Sequence, residues 1–522
     1  MFDGQLWAKL DLQAFPTIPS HHLLRLAEAS GSFVRHIDFN GLTRLLPSSL
    51  VDITKSLCIP YNLPDGQSPV TQLTSINLSG CSLISTYALR NLFIHSPLLT
   101  NLKLKGLKAV TNDTCRILAE FCPGILCLDL TRCDGMDVDG IISLLRPHQI
   151  RQTVSPMKEL KVSGLKRAND TLMSLLGRYA PNLEVLDLSC AHELQNQALQ
   201  AYITIGDDED MSNAVLLTSR DVGRDPGDPT KYWRRVTKLR HLSLSSCHLL
   251  SDIGCSHLAH ALPRLELLEL AGIGVELKDD GLIRLLRTTP CIRRLDLEEA
   301  CDITDAVLEA LTPKDEVDNL GRPPSSQPGS KLEQLNLSYA MHLTNDAVLS
   351  LIHSCIRLKH LELDSTRISG STVKEFVRLS RKRQAVNAQI VSVDCRSVGE
   401  SAVKDLVGST RTRKGWRSWD AKRFHYLDSR DEEALGVGQD ECDEKRVVLK
   451  TFYSWQTVDA VETAREKRRK SSKNGQDSRS ESEEDYFSLR KGPSRWFSSI
   501  RTSGTTSPTD GADRDRESCT IM

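Results

Sequence analysis

The chain has 522 residues, with 67 basic and 68 acidic side chains and a net charge of −1. This length exceeds one compact domain, since a single hydrophobic core stops growing near ~250–300 residues, and the balanced charge argues against a general nucleic-acid binder. No stretch approaches the ~18 apolar residues of a membrane helix, and the opening MFDGQLWAKLDL lacks the basic and apolar regions of a secretory signal.

Copies of one leucine-rich phrase follow the first 33 residues of the chain. The phrase reads L-x-x-L-x-L-x-x-(C/A/L), and the copies that start at 73, 99 and 125 are 26 residues apart. That period lies within the ~20–29 residues of a leucine-rich repeat. The twelve copies occupy residues 34–42, 73–81, 99–107, 125–133, 157–165, 183–191, 239–247, 265–273, 292–300, 332–340, 358–366 and 390–398.

Each copy predicts one short strand followed by one helix. The core leucines alternate with period two, and the intervening segments, such as 113–122 and 346–355, have helical period. Polar residues that can cap the first helical turn precede these segments at Thr111-Asn112, Ser251-Asp252, Thr304-Asp305 and Thr344-Asn345. The predicted fold class is therefore α/β: a curved solenoid with a parallel sheet on its concave face and helices on its convex face.

Two longer spacings interrupt the period and predict inserted loops near 206–233 and 313–330, which are rich in turn-forming residues. The first is interpreted as a solvated insertion, with a functional arm as the alternative. The solenoid is predicted to span 34–400. The segment 1–33 is interpreted as an N-terminal cap, or as the remnant of a linker that leads into the repeats.

Beyond the repeats, 401–470 is predicted to be a C-terminal cap, because the end of a solenoid needs a polar cover. Trp416 and Trp419 stand within the basic segment 411–423 and can cover the core edge. Binding of a single-stranded nucleic acid is the alternative for that segment. Residues 446–470 read as a helix that becomes basic at its end, and 471–522 predicts a disordered tail.

The last four residues, CTIM, form a C-a-a-X box that predicts farnesylation of Cys519. One prenyl chain holds a membrane only marginally, so a second signal is needed. A basic run supplies it, since each basic residue near an anionic leaflet adds ~1 kcal/mol; the run comprises Arg465, Lys467, Arg468, Arg469 and Lys470. Phosphorylation of Ser480 and Ser482 would weaken this attraction. The predicted location is cytoplasmic and membrane-associated, with a nuclear location as the alternative.

The sequence contains no G-x-S-x-G, P-loop or HExxH motif, so we expect no enzyme, no metal and no cofactor. Fifteen cysteines in a chain without a secretory signal predict reduced thiols. Because cysteines recur at one repeat position, we interpret them as small buried side chains. A redox or metal site is the alternative, although no CxxC pair is present.

These cysteine positions resemble a known subclass of repeat. Cysteines end the phrase or close the helix at Cys81, Cys122, Cys133, Cys247, Cys291 and Cys355. They resemble the cysteine-containing leucine-rich repeats of F-box/leucine-rich-repeat proteins, and LWAKLDL (6–12) is similar to the segment that follows an F-box. The resemblance implies a substrate receptor of an SCF ubiquitin ligase. The F-box itself is expected to be truncated or missing, and Skp1 and cullin are expected partners if an F-box lies upstream.

The residue between the two core leucines points outward on the predicted sheet, and seven of these twelve residues are acidic. With the neighbouring column they form an acidic stripe that favours a basic segment of a protein partner. An abundance of Asp at this position in such repeats in general is the open alternative. The predicted partner-binding residues are Asp129, Asp187, Glu269, Asp296, Glu298, Glu362, Asp364 and Asp394.

The sequence thus predicts a protein-binding module that directs ubiquitin-dependent degradation by presenting a target to an SCF-type ligase. Two alternatives remain open. One is a scaffold or inhibitor without a ligase connection, and the other is a farnesylated, membrane-tethered signalling adaptor. Nucleic acid is not expected as a partner.

Overall fold

The structure, a computed structural model, describes residues 7–59, 69–206, 209, 211–225, 227–314, 327–411 and 443–451. Cys519, the basic run 465–470, Ser480, Ser482, Trp416 and Trp419 lie outside these residues. No helix of the described part is long and apolar enough to cross a membrane.

One parallel sheet of fifteen strands runs through the described part of the chain. Its strands, in chain order, are β1 (Lys9–Asp11), β2 (His36–Asp38), β3 (Ser75–Asn77), β4 (Asn101–Lys103), β5 (Cys127–Asp129), β6 (Glu159–Lys161), β7 (Val185–Asp187), β10 (His241–Ser243), β11 (Leu267–Glu269), β12 (Arg294–Asp296), β13 (Gln334–Asn336), β14 (His360–Glu362), β15 (Gln389–Val391), β16 (Thr410–Arg411) and β17 (Val447–Lys450). Neighbours in the chain are neighbours in the sheet, except that β17 lies between β15 and β16. A separate antiparallel hairpin pairs β8 (Ala214–Thr218) with β9 (Lys231–Arg235).

Helices connect the strands of the sheet. They are α1 (Ser20–Ser30), α2 (Pro47–Ser56), α3 (Thr86–His95), α4 (Asn112–Phe121), α5 (Val138–Arg151), α6 (Asp170–Tyr179), α7 (Asn196–Ile203), α8 (Asp252–Leu258), α9 (Asp279–Arg287), α10 (Asp305–Leu311), α11 (Asn345–Ser354), α12 (Gly370–Lys382) and α13 (Glu400–Leu406). Crossovers between adjacent parallel strands have one hand, so the helices share one side of the sheet. Because strands lie ~4.8 Å apart and packed helices ~8–10 Å apart, the sheet is the concave side.

The core lies between the strands and the helices, as the leucine pattern predicts. The central residues of successive strands, such as Ile76, Leu102 and Leu128, are at most 1% exposed. Each such burial stabilises the fold by ~1.5–3 kcal/mol. The predicted fold class, an α/β leucine-rich-repeat solenoid, is confirmed.

The four helix caps predicted from the sequence are all present. The side chains of Thr111 and Thr344 accept hydrogen bonds from the third amide of their helices, and those of Ser251 and Thr304 accept from the second. Such a cap stabilises a helix by ~1 kcal/mol, because it satisfies an amide with no partner inside the helix.

A left-handed residue follows each repeat strand and turns the chain toward the next helix. Glycine fills this position at Gly41 and Gly80, whereas Ser365 and Asp394 adopt it with φ of 53° and 57°. The position fixes the register of the last repeat: Ile390 pairs with Leu361, and Val391 pairs with Glu362. The sequence alignment of 390–398 was therefore wrong by three residues. Asp394 lies in the turn and not in the outward column.

The insertion near 206–233 also differs from its prediction as a loop. Its strands form a hairpin, of which Leu217 is 4% exposed. Two arginines at the end of β9 fasten the hairpin to the helices. Arg234 donates to the carbonyl oxygens of Ser256 and Ala259 (3.1 and 2.7 Å), and Arg235 donates to that of Tyr202 (2.5 Å). The hairpin is thus packed against the ends of α7 and α8.

The sheet extends beyond the predicted solenoid at both ends. Lys9–Asp11 pairs in parallel with β2, so the segment 1–33 contributes a strand. Val447–Lys450 pairs in parallel with β15, so the prediction of a helix over 446–470 is wrong for these residues. A short run of Val447, Val448 and Leu449, all buried, suits a strand that is covered on both faces.

Candidate protein-binding surface of the sheet

The outward column of the sheet contains a repeated hydrogen bond that explains many of its acidic residues. An aspartate or asparagine in the column accepts from the backbone amide two residues further on, at 2.8–3.2 Å. The residues that do so are Asp38, Asn77, Asp129, Asp187, Asp296 and Asn336. Because asparagine makes the same bond, the turn requires the side-chain oxygen but not the negative charge.

Five of the predicted partner-binding residues lie together, and we call Glu269, Asp296, Glu298, Glu362 and Asp364 the acidic patch. In the column, Glu269 is opposite Asp296, and Asn336 separates Asp296 from Glu362. Asp129 and Asp187 lie on β5 and β7, outside the patch. Asp394 lies in the turn after β15, as described above.

Burial and mutual repulsion disfavour the charged form of four patch carboxyls. Burial raises the pKa of Asp296, and the carboxylate of Glu269 adds to the effect. Burial likewise raises the pKa of Glu298, Glu362 and Asp364, with like charges as a further cause for the first two. At neutral pH the patch therefore holds negative charge at a cost to the fold, and an approaching cation would relieve that cost.

Glu269 differs from the other members of the patch. Nε2 of His241 lies 3.7 Å from its Oε2, and Nη2 of Arg294 lies 3.7 Å from its Oε1. Both separations exceed a direct hydrogen bond, so the attraction is electrostatic. The His241 imidazole is the main cause that holds the pKa of the Glu269 carboxyl below its ordinary value.

A shallow cavity of about 290 Å³ opens between the strands of the patch. Most of the residues that line it are polar, and two are leucines: Arg294, Leu295, Asp296, Gln334, Leu335, Asn336, His360, Glu362 and Gln389. Sites for small molecules are mostly larger and apolar, at ~300–1,000 Å³. The cavity therefore suits one polar side chain of a larger partner.

Sequence reasoning missed Lys450, which belongs to β17 and pairs with Val391 of the outward column. Its ammonium opposes the rise in pKa of Glu362 and Asp364. The apolar run before Lys450 resembled a helix, and no repeat phrase marks it as a strand. Only the pairing with β15 places this charge beside the patch.

A ladder of ion pairs along the starts of the strands was also missed. Arg240 contacts Glu266 at 2.6 Å, and Arg293 contacts Glu333 at 2.9 Å. Arg293 also approaches Glu266, at 3.8 Å, so that consecutive repeats are linked. The available signal was the alternation of opposite charges at the position three residues before the outward column. Because the carboxylates of this ladder already have cations, they are poorer candidates for a partner than the acidic patch is.

The recurring cysteines contact the preceding repeat. The Sγ atoms of Cys81, Cys133 and Cys247 lie 3.2–3.3 Å from the carbonyl oxygens of Phe39, Leu104 and Leu188. Cys395 makes the same contact with Leu363 at 3.0 Å. These thiols are buried, and no group of three or more potential metal ligands occurs in the described residues. The geometry favours the packing interpretation over a redox or metal site.

The fold and the exposed polar columns define a leucine-rich-repeat solenoid. No protein-family model matches the chain, and no curated protein matches it. The fold is similar to a chain in the crystal structure of the Rad7 and Elc1 complex in yeast, with 16% identity, 74% of this chain and 86% of that chain covered, and a TM-score of 0.47. It is also similar to the leucine-rich repeat-containing protein LegL7 from Legionella pneumophila, with 14% identity, 72% and 97% covered, and a TM-score of 0.35.

Proposed function

We propose that this protein recruits other proteins through the outward face of its sheet, as the substrate-recognition subunit of an SCF-type ubiquitin ligase. The observation that carries the proposal is the acidic patch. The turn after Asp296 needs the side-chain oxygen but not the charge, and burial disfavours the charged form of every patch carboxyl except that of Glu269. Charged groups that are half-buried on a rigid surface, at a cost to the fold, are typical of binding sites.

The form of the surface favours a polypeptide over a small molecule. The columns present charged side chains along successive parallel strands, and the described cavity in the patch is shallow and polar. A partner that presents lysine or arginine side chains would meet Glu298, Glu362 and Asp364 within two neighbouring columns. Complementary charge would also speed its approach.

The ligase connection is supported by the resemblance of the cysteine-containing repeats to those of F-box proteins. In this reading the chain performs no chemistry and acts by proximity. The sheet holds a target while the ligase machinery transfers ubiquitin to it. A scaffold or inhibitor would use the same surface without ligase components.

Membrane attachment is a separate part of the proposal. Farnesylation of Cys519, helped by the basic run 465–470, would place the target at a membrane surface. Phosphorylation of Ser480 and Ser482 would release it by adding negative charge near that run.

The experiment is purification of the tagged full-length chain from its native cells, with quantitative mass spectrometry of the proteins that accompany it. Recovery of Skp1 and a cullin at a constant ratio to the chain is expected for a ligase receptor. A stoichiometric partner without ligase components would contradict the ligase connection and favour a scaffold or inhibitor.

A further inference from the structure

A second charged surface lies on the same face of the sheet, toward the N-terminus. The strands β4–β6 and the turns after them, residues 101–108, 127–134 and 159–167, contain seven basic and three acidic residues. We call Lys103, Lys105, Lys108, Arg132 and Lys161 the basic patch. All are exposed except Lys161, which is half-buried.

The strand register brings these cations together. Lys103 is opposite Asp129, and Asp129 is opposite Lys161, so that both lysines lie in the outward column. Lys105 lies in the neighbouring column, two residues after Lys103, and the hydroxyl-bearing Thr131 holds the equivalent position in the adjacent repeat. Lysines on β4 and β6 are two strands apart, or about 10 Å.

The basic patch is not neutralised by the parts of the chain that the structure describes. Its five members take part in none of the ion pairs found among those residues. The two column acids opposite the lysines, Asp129 and Asp187, already accept hydrogen bonds from the backbone amides two residues further on, at 3.0 and 2.9 Å. By contrast, Arg167 at the edge of this surface does have an acid, Asp137, at 3.2 Å.

We propose that the basic patch binds an acidic segment of a polypeptide partner, a second contact of the protein-recruiting face; this inference rests on the proposed function. Aspartate, glutamate or phosphoserine side chains of an extended segment would reach the ammonium groups of Lys103, Lys105 and Lys161. The guanidinium of Arg132, at the end of the strands, would bind a carboxylate or phosphate through bidentate hydrogen bonds.

The presence of the acidic patch on the same face favours a polypeptide over a nucleic acid as the partner of the basic patch. In the outward column Lys161 and Glu269 are three strands apart, or about 14 Å. That distance exceeds the ~8 Å over which physiological salt screens exposed charges, so the two patches act as separate sites. A nucleic-acid strand that continued along the sheet would meet Glu269 and Asp296 and be repelled. A polypeptide can carry both signs of charge and match both patches in one orientation.

The test is fluorescence anisotropy with the full chain and a fluorescein-labelled peptide of twelve residues that alternates glutamate and serine. The variant Lys103→Gln/Lys105→Gln/Lys161→Gln is expected to bind about tenfold more weakly, since three surface charge contacts are lost. The control Lys55→Gln/Lys278→Gln/Lys382→Gln removes the same charge from exposed positions off this face and should bind as the unaltered chain does. Thermal unfolding of both variants verifies that the fold is retained.

Two results would overturn the proposal. Equal affinity of the peptide for the patch variant and the control variant would show that the basic patch is not the site. Tighter binding of a twelve-nucleotide single-stranded DNA than of the peptide would assign the surface to nucleic acid. Neither result depends on Skp1 or cullin, so a failure here is distinguishable from a failure of the ligase connection.

Discussion

Asp296 and Asn336 face each other in adjacent strands and make the same backbone hydrogen bond. Oδ1 of Asp296 accepts from the amide of Glu298 at 3.2 Å, and Oδ1 of Asn336 accepts from the amide of Ser338 at 3.1 Å. One residue carries a charge and the other does not, yet the turn is the same. The negative charge of Asp296 can therefore be removed by an amide substitution that keeps the hydrogen bond of the turn.

Replacing two patch acids by their amides, as Glu362→Gln/Asp364→Asn, should stabilise the fold. The pKa of each carboxyl is raised by burial, so the stability linked to these groups is full below their ordinary pKa and is lost as the pH rises through the raised value. At pH 7 the double variant should therefore gain ~0.5–1 kcal/mol in free energy of unfolding. Urea unfolding at pH 7 and pH 4.5 checks this, with a smaller gain at pH 4.5.

The control for that prediction is Glu375→Gln, which should lower the free energy of unfolding where the patch variant raises it. Hydrogen bonds from Arg378 lower the pKa of Glu375. Its contribution is therefore present above its ordinary pKa and lost as the pH falls, and the variant should lose ~0.3 kcal/mol at pH 7. Loss of stability in Glu362→Gln/Asp364→Asn at pH 7 would contradict the account of the patch as costly to the fold.

The buried thiols should make the protein sensitive to alkali. Burial raises the pKa of several cysteines from 9.0 to about 12: Cys81, Cys115, Cys122, Cys247, Cys255 and Cys355. Their contribution is full below 9.0 and is lost as the pH rises toward 12, because the unfolded chain releases these protons first. By pH 10 each of these thiols can lower the free energy of unfolding by up to about 1.4 kcal/mol.

Urea unfolding between pH 8 and pH 10 under reducing conditions measures this loss. The variant Cys247→Ala should show a shallower decline than the unaltered chain, whatever its own stability at pH 8. A free energy of unfolding that stays level over this range would count against a folded state in which the thiols are buried and protonated.

Arg234, one of two buried arginines of the hairpin, should contribute more to stability than an exposed arginine does. Arg234→Met keeps most of the buried stem but removes the guanidinium that donates to the carbonyl oxygens of Ser256 and Ala259 at the end of α8. We expect a loss of ~2–3 kcal/mol, because the bonds are charged and buried. Hydrogen exchange should show lost protection in Ala214–Thr218 and retained protection in His241–Ser243. The exposed Arg220 is the control, and a similar effect from Arg220→Met would refute the role given to Arg234.

Farnesylation can be checked directly on the tail. Expressed with a farnesyltransferase, the chain should gain the mass of one farnesyl group and move to the membrane fraction, whereas Cys519→Ser should do neither. Neutralising Arg465, Lys467 and Arg468 as glutamines should lower the membrane fraction without removing the lipid, and Ser480→Glu/Ser482→Glu should act in the same direction. Unchanged partition of Cys519→Ser would exclude the lipid as the anchor.

The repeat architecture is predictable because its signal is redundant. Twelve copies carry the same buried leucines, and four polar pairs mark the helix starts, so single errors do not change the fold. The last repeat shows the limit: IVSVDCRSV fits the phrase when Ile390 is taken as its first leucine, but Ile390 pairs with Leu361, the second leucine of its repeat, and Ser392 then takes the third leucine position. Because of this error, Asp394 was predicted to belong to the acidic stripe, whereas it lies in the turn after β15.

The surface was less predictable than the core for a physical reason. A column residue is read from spacing, but its role depends on neighbours that are far away in the chain. Lys450 lies in the same column as Glu362, two strands away across Val391, only because β17 joins the sheet out of chain order. Arg234 and Arg235 lie in an insertion that has no repeat phrase, and their helix-end contacts come from tertiary packing.

The proposed function depends on recruitment of a protein partner by the acidic patch. The proteins that co-purify with the tagged chain are compared with those of its Glu298→Gln/Glu362→Gln/Asp364→Asn variant. The control Asp113→Asn/Glu120→Gln/Glu375→Gln removes the same number of charges elsewhere. We expect at least one protein that co-purifies in stoichiometric amount with the unaltered chain and with the control to be absent from the patch variant. Retention of every stoichiometric partner by the patch variant, in unchanged amounts, would contradict this expectation.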